Sequence, residues 1–173
     1  MFASSFSSGK EAHLFFAKSY NGACWSLIEQ KERSIEETAR MINLAHASLL
    51  HWSESPECTP ANVQRGEWLI AMAYAVTERA EPSYVHAKRC LDLTISEPDA
   101  MMGFDVAYAY MIMAKTLALT GREEEAKGYL AKMVDATGAN SNERDRQIFR
   151  GDLQLGNWYG LTELVREAEK SIL

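Results

Sequence analysis

Apolar residues recur along this chain three and four positions apart in eight successive segments, and the residues that start and stop helices fall between them. Ser8-Gly-Lys-Glu11 and Ser34-Ile-Glu-Glu37 each read as a capping box. In such a box a hydroxyl and a carboxylate satisfy each other's orphan backbone N–H groups, which places the starts of helices 1 and 2. Thr59-Pro60 supplies a capping hydroxyl and then a proline where its missing N–H costs nothing, so helix 3 begins there. Glu81-Pro82 is expected to end helix 3 and open helix 4 in a tight hairpin. Ser96-Glu-Pro-Asp99 breaks the chain again. Helix 5 then runs to Thr120, Gly121 is able to turn left-handed behind it, and helix 6 spans Arg122 to about Thr137. Gly138-Ala-Asn-Ser141 reads as a loop in which Ser141 caps a short helix 7. In 157–173 the stripe Leu161, Leu164, Val165, Ala168 and Ile172 predicts a C-terminal capping helix 8. β-branched residues never alternate with polar ones, so no strands are expected. The pattern predicts an all-α chain of about 7–8 helices in a single domain over 1–173, with residues 1–7 expected to be disordered.

Composition narrows the classes of function. A chain of 173 residues can bury about 70% of the surface its unfolded form exposes. Four Trp, seven Tyr and six Phe argue against intrinsic disorder. The formal charge of −6 is spread as interleaved acids and bases with no Lys/Arg cluster, so nucleic acid is not an expected partner. The longest apolar runs, Trp68 to Val76 and Val106 to Ala114, are about half of the ~20 residues that cross a bilayer, and they read as buried helix interiors. The first ten residues lack the basic and apolar regions of a secretory signal. Cys24, Cys58 and Cys90 are odd in number and widely spaced, which fits reduced thiols, and the expectation is a cytoplasmic protein without a membrane partner.

Candidate chemistry is sparse. No C-x-x-C, H-E-x-x-H, E-x-x-H, glycine-rich phosphate loop or nucleophilic triad order is present, so neither catalysis nor a metal or other cofactor is expected. His46 and His51 lie on one helix about 140° apart around its axis, too divergent for one metal, and read as partly buried histidines each paired to a neighbour. The sharper alternatives are a proton-transfer or metal site completed by His13 or His86, and an inter-helical pocket for a small molecule, in a sensor or an enzyme, formed by Trp25, His46, His51 and Trp52. His86 and Cys90 have a chelating spacing but no further ligands. Gly66 inside helix 3 reads as a site of close helix contact.

The stretch Leu117 to Asp135 resembles the hinge of a tetratricopeptide (TPR) repeat, with Gly121 at the turn and the small Ala126 five residues on, followed by Leu130 and Met133. The resemblance is clearest over residues 104–137 and partial over 60–137. In the earlier hairpin, Ala87 aligns with Ala126 and Ala75 with Ala114 at an offset of 39 residues, against about 34 in the family. It implies stacked antiparallel hairpins in a short right-handed array and a scaffold that binds a protein or peptide. By carry-over, the binding groove is lined by Tyr108, Met111 and Lys115 on helix 5 and by Leu69, Met72 and Val76 on helix 3, an apolar surface suited to an amphipathic helix or extended peptide. Helix 1 or helix 8 folding into that groove would fill it instead. Self-association into a structural homo-oligomer is a further option.

Overall fold

The computed structural model describes residues 9–138 and 142–172. Among the described residues the chain forms eight α-helices and no strand: α1 (Gly9–Ile28), α2 (Ile35–Ser53), α3 (Pro60–Ala75), α4 (Ala80–Ser96), α5 (Asp105–Leu119), α6 (Glu123–Gly138), α7 (Glu143–Leu153) and α8 (Thr162–Ser171). Short 3-10 turns at Pro98–Ala100 and Tyr159–Leu161 lead into α5 and α8. No described helix is long and apolar enough to cross a membrane.

Local chemistry sets most of the boundaries. The Ser34 side chain accepts from the Glu37 N–H while the Glu37 carboxylate accepts from the Ser34 N–H at 2.8 Å, closing the expected capping box. Thr59 caps α3 in the same reciprocal way with Asn62, and Pro60 follows in the first turn. The expected Ser8 and Ser141 caps and the disordered 1–7 lie outside the described residues. Asn142 caps α7 by accepting from the N–H groups of Arg144 and Asp145. The final helix occupies Thr162–Ser171 only, because Trp158 to Leu161 turn before it starts.

One predicted boundary is displaced. Helix α3 ends at Ala75 and α4 starts at Ala80, so Pro82 sits inside the first turn of α4, where it forfeits no hydrogen bond. The turn itself is made by Glu78, which adopts a left-handed φ of 58°. The Arg79 N–H reaches Tyr74 O and the Glu78 N–H reaches Ala75 O, the double bond of a Schellman motif. The α5–α6 turn repeats the motif, with Arg122 bonded to Leu117 and Gly121, φ 75°, bonded to Ala118. Equivalent turns are therefore Glu78 and Gly121, 43 residues apart, and the offset of 39 read from alanine spacing is one helical turn short. The residue five past Glu78 is Ser83, fully buried, whose hydroxyl donates to Ala71 O at 2.9 Å and pairs with Thr116 Oγ1 at 2.8 Å.

Helices α1/α2, α3/α4 and α5/α6 pack as antiparallel neighbours, and α1, α3 and α5 also touch in sequence to form one layer. Consistent with their apolar runs, Trp68 to Ala73 and Met111 to Ala118 are buried all round. Gly66 lets α3 approach α2, since a Cβ there would lie 2.7 Å from Leu49 Cδ1. The Arg33 guanidinium ties two helix ends together, donating to Leu27 O and Ile28 O at the end of α1 and to Val76 O behind α3. The three thiols are free, with Cys24 and Cys90 buried.

Candidate functional site

The layer of α1, α3 and α5 presents a row of rings. Trp25 of α1 stacks on Trp68 of α3 with centroids 5.4 Å apart, and Trp68 meets Tyr108 of α5 edge-on at 5.2 Å. Tyr108 meets Phe149 of α7 at 4.7 Å, and Phe149 stacks on Phe104 at 5.1 Å. The Trp68 indole N–H donates to Tyr108 O at 3.0 Å, fixing the register of α3 against α5. This row draws α7 across the mouth of the layer.

The segment from α7 to Trp158 covers most of that face. Phe149 and Leu153 are fully buried, and Gly156, at φ 67°, lies against Val76. Lys115 is buried beneath the segment: its ammonium donates to Leu155 O at 2.7 Å and Asn157 O at 3.1 Å and sits 4.0 Å from the centre of the Trp158 ring. Burial pushes its pKa down from 10.5 to about 7. Leu69, Met72 and Met111 are likewise buried, and Val76 is half-buried. Of the side chains carried over as groove lining, Tyr108, Lys115 and Val76 thus meet the chain's own C-terminal segment through α7 and the loop that follows it, rather than through helix 1 or helix 8.

A gap remains where α7 does not meet α1. It is a cleft of about 280 Å³ whose walls are Trp25, Trp68, Leu69 and Tyr108, and whose polar groups are Asn21, Gln64, Arg65, Asp105 and Asp152. Ile148 bridges it to an adjoining depression beside Met102 and Asp145. Arg65 is held by Asp105 in a two-pronged contact, Nε to Oδ1 and Nη2 to Oδ2, each at 2.8 Å. The Gln64 amide donates to Thr94 and to Asp105 O, which pins the end of α5. Asp152 accepts the Tyr108 hydroxyl at 2.6 Å. Burial raises the Asp152 pKa against the lowering effect of that bond, and the charge of Glu29 raises it further. Burial, then the neighbouring Asp152 charge, raises that of Tyr108.

The 43-residue turn equivalence explains which cleft residues sequence spacing missed. Tyr108, Met111 and Lys115 correspond to Arg65, Trp68 and Met72, one turn before the Leu69, Met72 and Val76 carried over at the shorter offset. The Arg65–Asp105 and Tyr108–Asp152 contacts span 40 and 44 residues, and no local spacing marks them.

The four side chains of the alternative pocket keep separate company. Trp25 lines the cleft, while the His51 Nδ1 lies 3.1 Å from His13 Nδ1 beside Phe16 and Tyr20. Trp52 is half-buried at the end of the same helix. His46 pairs with the Tyr74 hydroxyl at 3.1 Å and its ring lies 5.3 Å from that of His86, which is bound to Glu67 at 2.5 Å. Burial lowers the pKa of His46 and of His51, with the adjacent imidazole adding to the effect in each. Cys90 is fully buried and its thiol pKa is raised by burial. Among the described residues no group of three or more His, Cys, Asp or Glu side chains is disposed to hold a metal ion.

Comparisons with protein families, with curated proteins and with solved structures give no match to this chain.

Proposed function

We propose that the protein is a TPR-like helical scaffold that binds a peptide segment of another protein, without catalysing a reaction, at the cleft between α1, α3, α5 and α7. The observation that carries this reading is the cleft along the ring row Trp25–Trp68–Tyr108, contributed by three successive hairpins, in which Trp25 and Tyr108 are half-buried and hold the buried Trp68 between them. Concave sites with aromatic walls and a few fixed polar groups are where ligands are generally held. The apolar Ile148 and Met102, 50% and 70% exposed, extend the surface outward, as an extended peptide requires. The polar groups beside the rings are already tied to one another, so the cleft is pre-formed and a ligand pays little to organise it.

A display selection for peptides against the whole chain tests the reading, with the Trp25→Ala variant as counter-target. Enriched peptides are expected to bind the variant at least about tenfold more weakly, the loss of one aromatic anchor being worth more than about 1.4 kcal/mol. Peptides that bind wild type and variant equally would place recognition elsewhere on the molecule.

A further inference from the structure

The cleft combines aromatic walls with a carboxylate that has no cation. Asp152 is half-buried, its Oδ2 is engaged by the Tyr108 hydroxyl, and among the described residues no Lys, Arg or His forms an ion pair with it. A partly desolvated carboxylate without a counter-charge is costly unless something supplies one. The surroundings deepen the deficit: Glu29 acts on Asp152 through its charge, and Asp145 stands in the adjoining depression. Arg65 does not relieve it, because both prongs of its guanidinium are spent on Asp105 at 2.8 Å. The half-buried Trp25 and Tyr108, with the buried Trp68 packed between them, complete the wall. Indole and phenol faces attract cations, and the attraction grows in a partly dried site.

From this arrangement we infer that, granted the peptide-binding reading above, the anchor seated in the cleft is a lysine or arginine side chain of the partner, its stem against Trp25 and Tyr108 and its charged head on Asp152. The size agrees. A volume of about 280 Å³ lies at the lower edge of the range for drug-sized ligands, about 300–1,000 Å³, and suits one long side chain rather than a compact multi-ring molecule. The chain's charge of −6 favours encounter with a basic segment over an acidic one. Lys and Arg bury their methylene stems along apolar surface while keeping the head on a polar group, which is the division this cleft offers.

The test titrates the full chain, at millimolar peptide, with acetyl-Ala-Leu-Xaa-Leu-Ala amides in which Xaa is lysine, arginine, norleucine or glutamate, following the indole N–H signals of Trp25 and Trp68 by NMR. Lysine and arginine peptides are expected to shift both indoles saturably and to bind about tenfold more tightly than norleucine, the worth of one partly desolvated charge contact. Asp152→Asn keeps the side-chain shape and an oxygen for Tyr108, and should bring the lysine peptide down to the norleucine level. Asp152→Glu should retain the preference, separating charge from any loosening of α7. A norleucine peptide that binds as well as lysine, or an Asp152→Asn variant with an undiminished preference, overturns the cationic anchor and leaves the cleft as a peptide site. Indoles indifferent to all four peptides would remove the cleft, and the reading beneath it with it.

Discussion

Lys115 is a cation enclosed on all sides, with two backbone carbonyls and an indole face as its partners and no carboxylate. Its folded-state pKa of about 7 lies below the 10.5 of the exposed amine, so between those values the unfolded chain holds a proton that the folded chain has released. The contribution of Lys115 to stability is therefore least below pH 7 and grows as the pH rises toward 10.5. Lys115→Met keeps the length of the side chain and removes the titration. Urea unfolding of both proteins should show wild type gaining on the variant by up to about 1.4 kcal/mol per pH unit above pH 7, and parallel pH profiles would contradict the assignment. The helical spacing put Lys115 on the same face as Tyr108 and Met111, which the structure also does. What spacing could not convey is the cover over that face, because its partners Leu155 and Asn157 lie 40 and 42 residues on and act through main-chain oxygens that carry no side-chain signature.

Among the elements, α7 is lightly held: it buries only Phe149 and Leu153 and adds the Asp152 contact to Tyr108. Removing a fully buried phenyl costs about 3–5 kcal/mol, more than so short an interface can absorb. Phe149→Ala is accordingly expected to open α7 and the loop to Trp158 without unfolding α3 and α5. Hydrogen exchange should read this as fast exchange confined to 143–158, and uniform loss of protection across the chain would show that α7 is integral to the core. Where an element's end is decided by neighbours a few residues away, as at Ser34 and Thr59, sequence spacing located it correctly. The α3–α4 turn escaped because Glu78 takes a left-handed conformation usually reserved for glycine, while the conspicuous Pro82 sits harmlessly inside a helix. That one hidden turn puts the two left-handed turns 43 residues apart, where alanine spacing read 39.

For the molecule as a whole, the titrating groups combine into an unusual pH profile. His46 and His51 have lowered pKa values, so each adds stability as the pH rises toward 6.5, and Lys115 continues the rise above about 7. Asp152, raised, opposes this only in the acid range. Above the ordinary thiol pKa of 9.0 the sign reverses, because Cys24, Cys58 and Cys90, each raised by burial, keep protons that the unfolded chain loses, against the one that Lys115 contributes. Tyr108 adds to the decline beyond 10. Stability should therefore peak near pH 9, above the range of about 5–8 usual for proteins. Urea midpoints measured across the pH scale check this, and a maximum at or below pH 6 would refute it. The all-α character was legible because helix punctuation and period are written locally. The route of 143–158 back over the first layer was not, being decided by ring contacts between residues some forty positions apart. Arg33 shows a different kind of dependence on distance. Its partners at the ends of α1 and α3 are all carbonyl oxygens, so the clamp itself is indifferent to which side chains stand at 27, 28 and 76, although packing constrains them. It is not indifferent to the length of either helix: one inserted residue would swing the receiving oxygens roughly 100° around the axis, and the two hairpins would lose their common end.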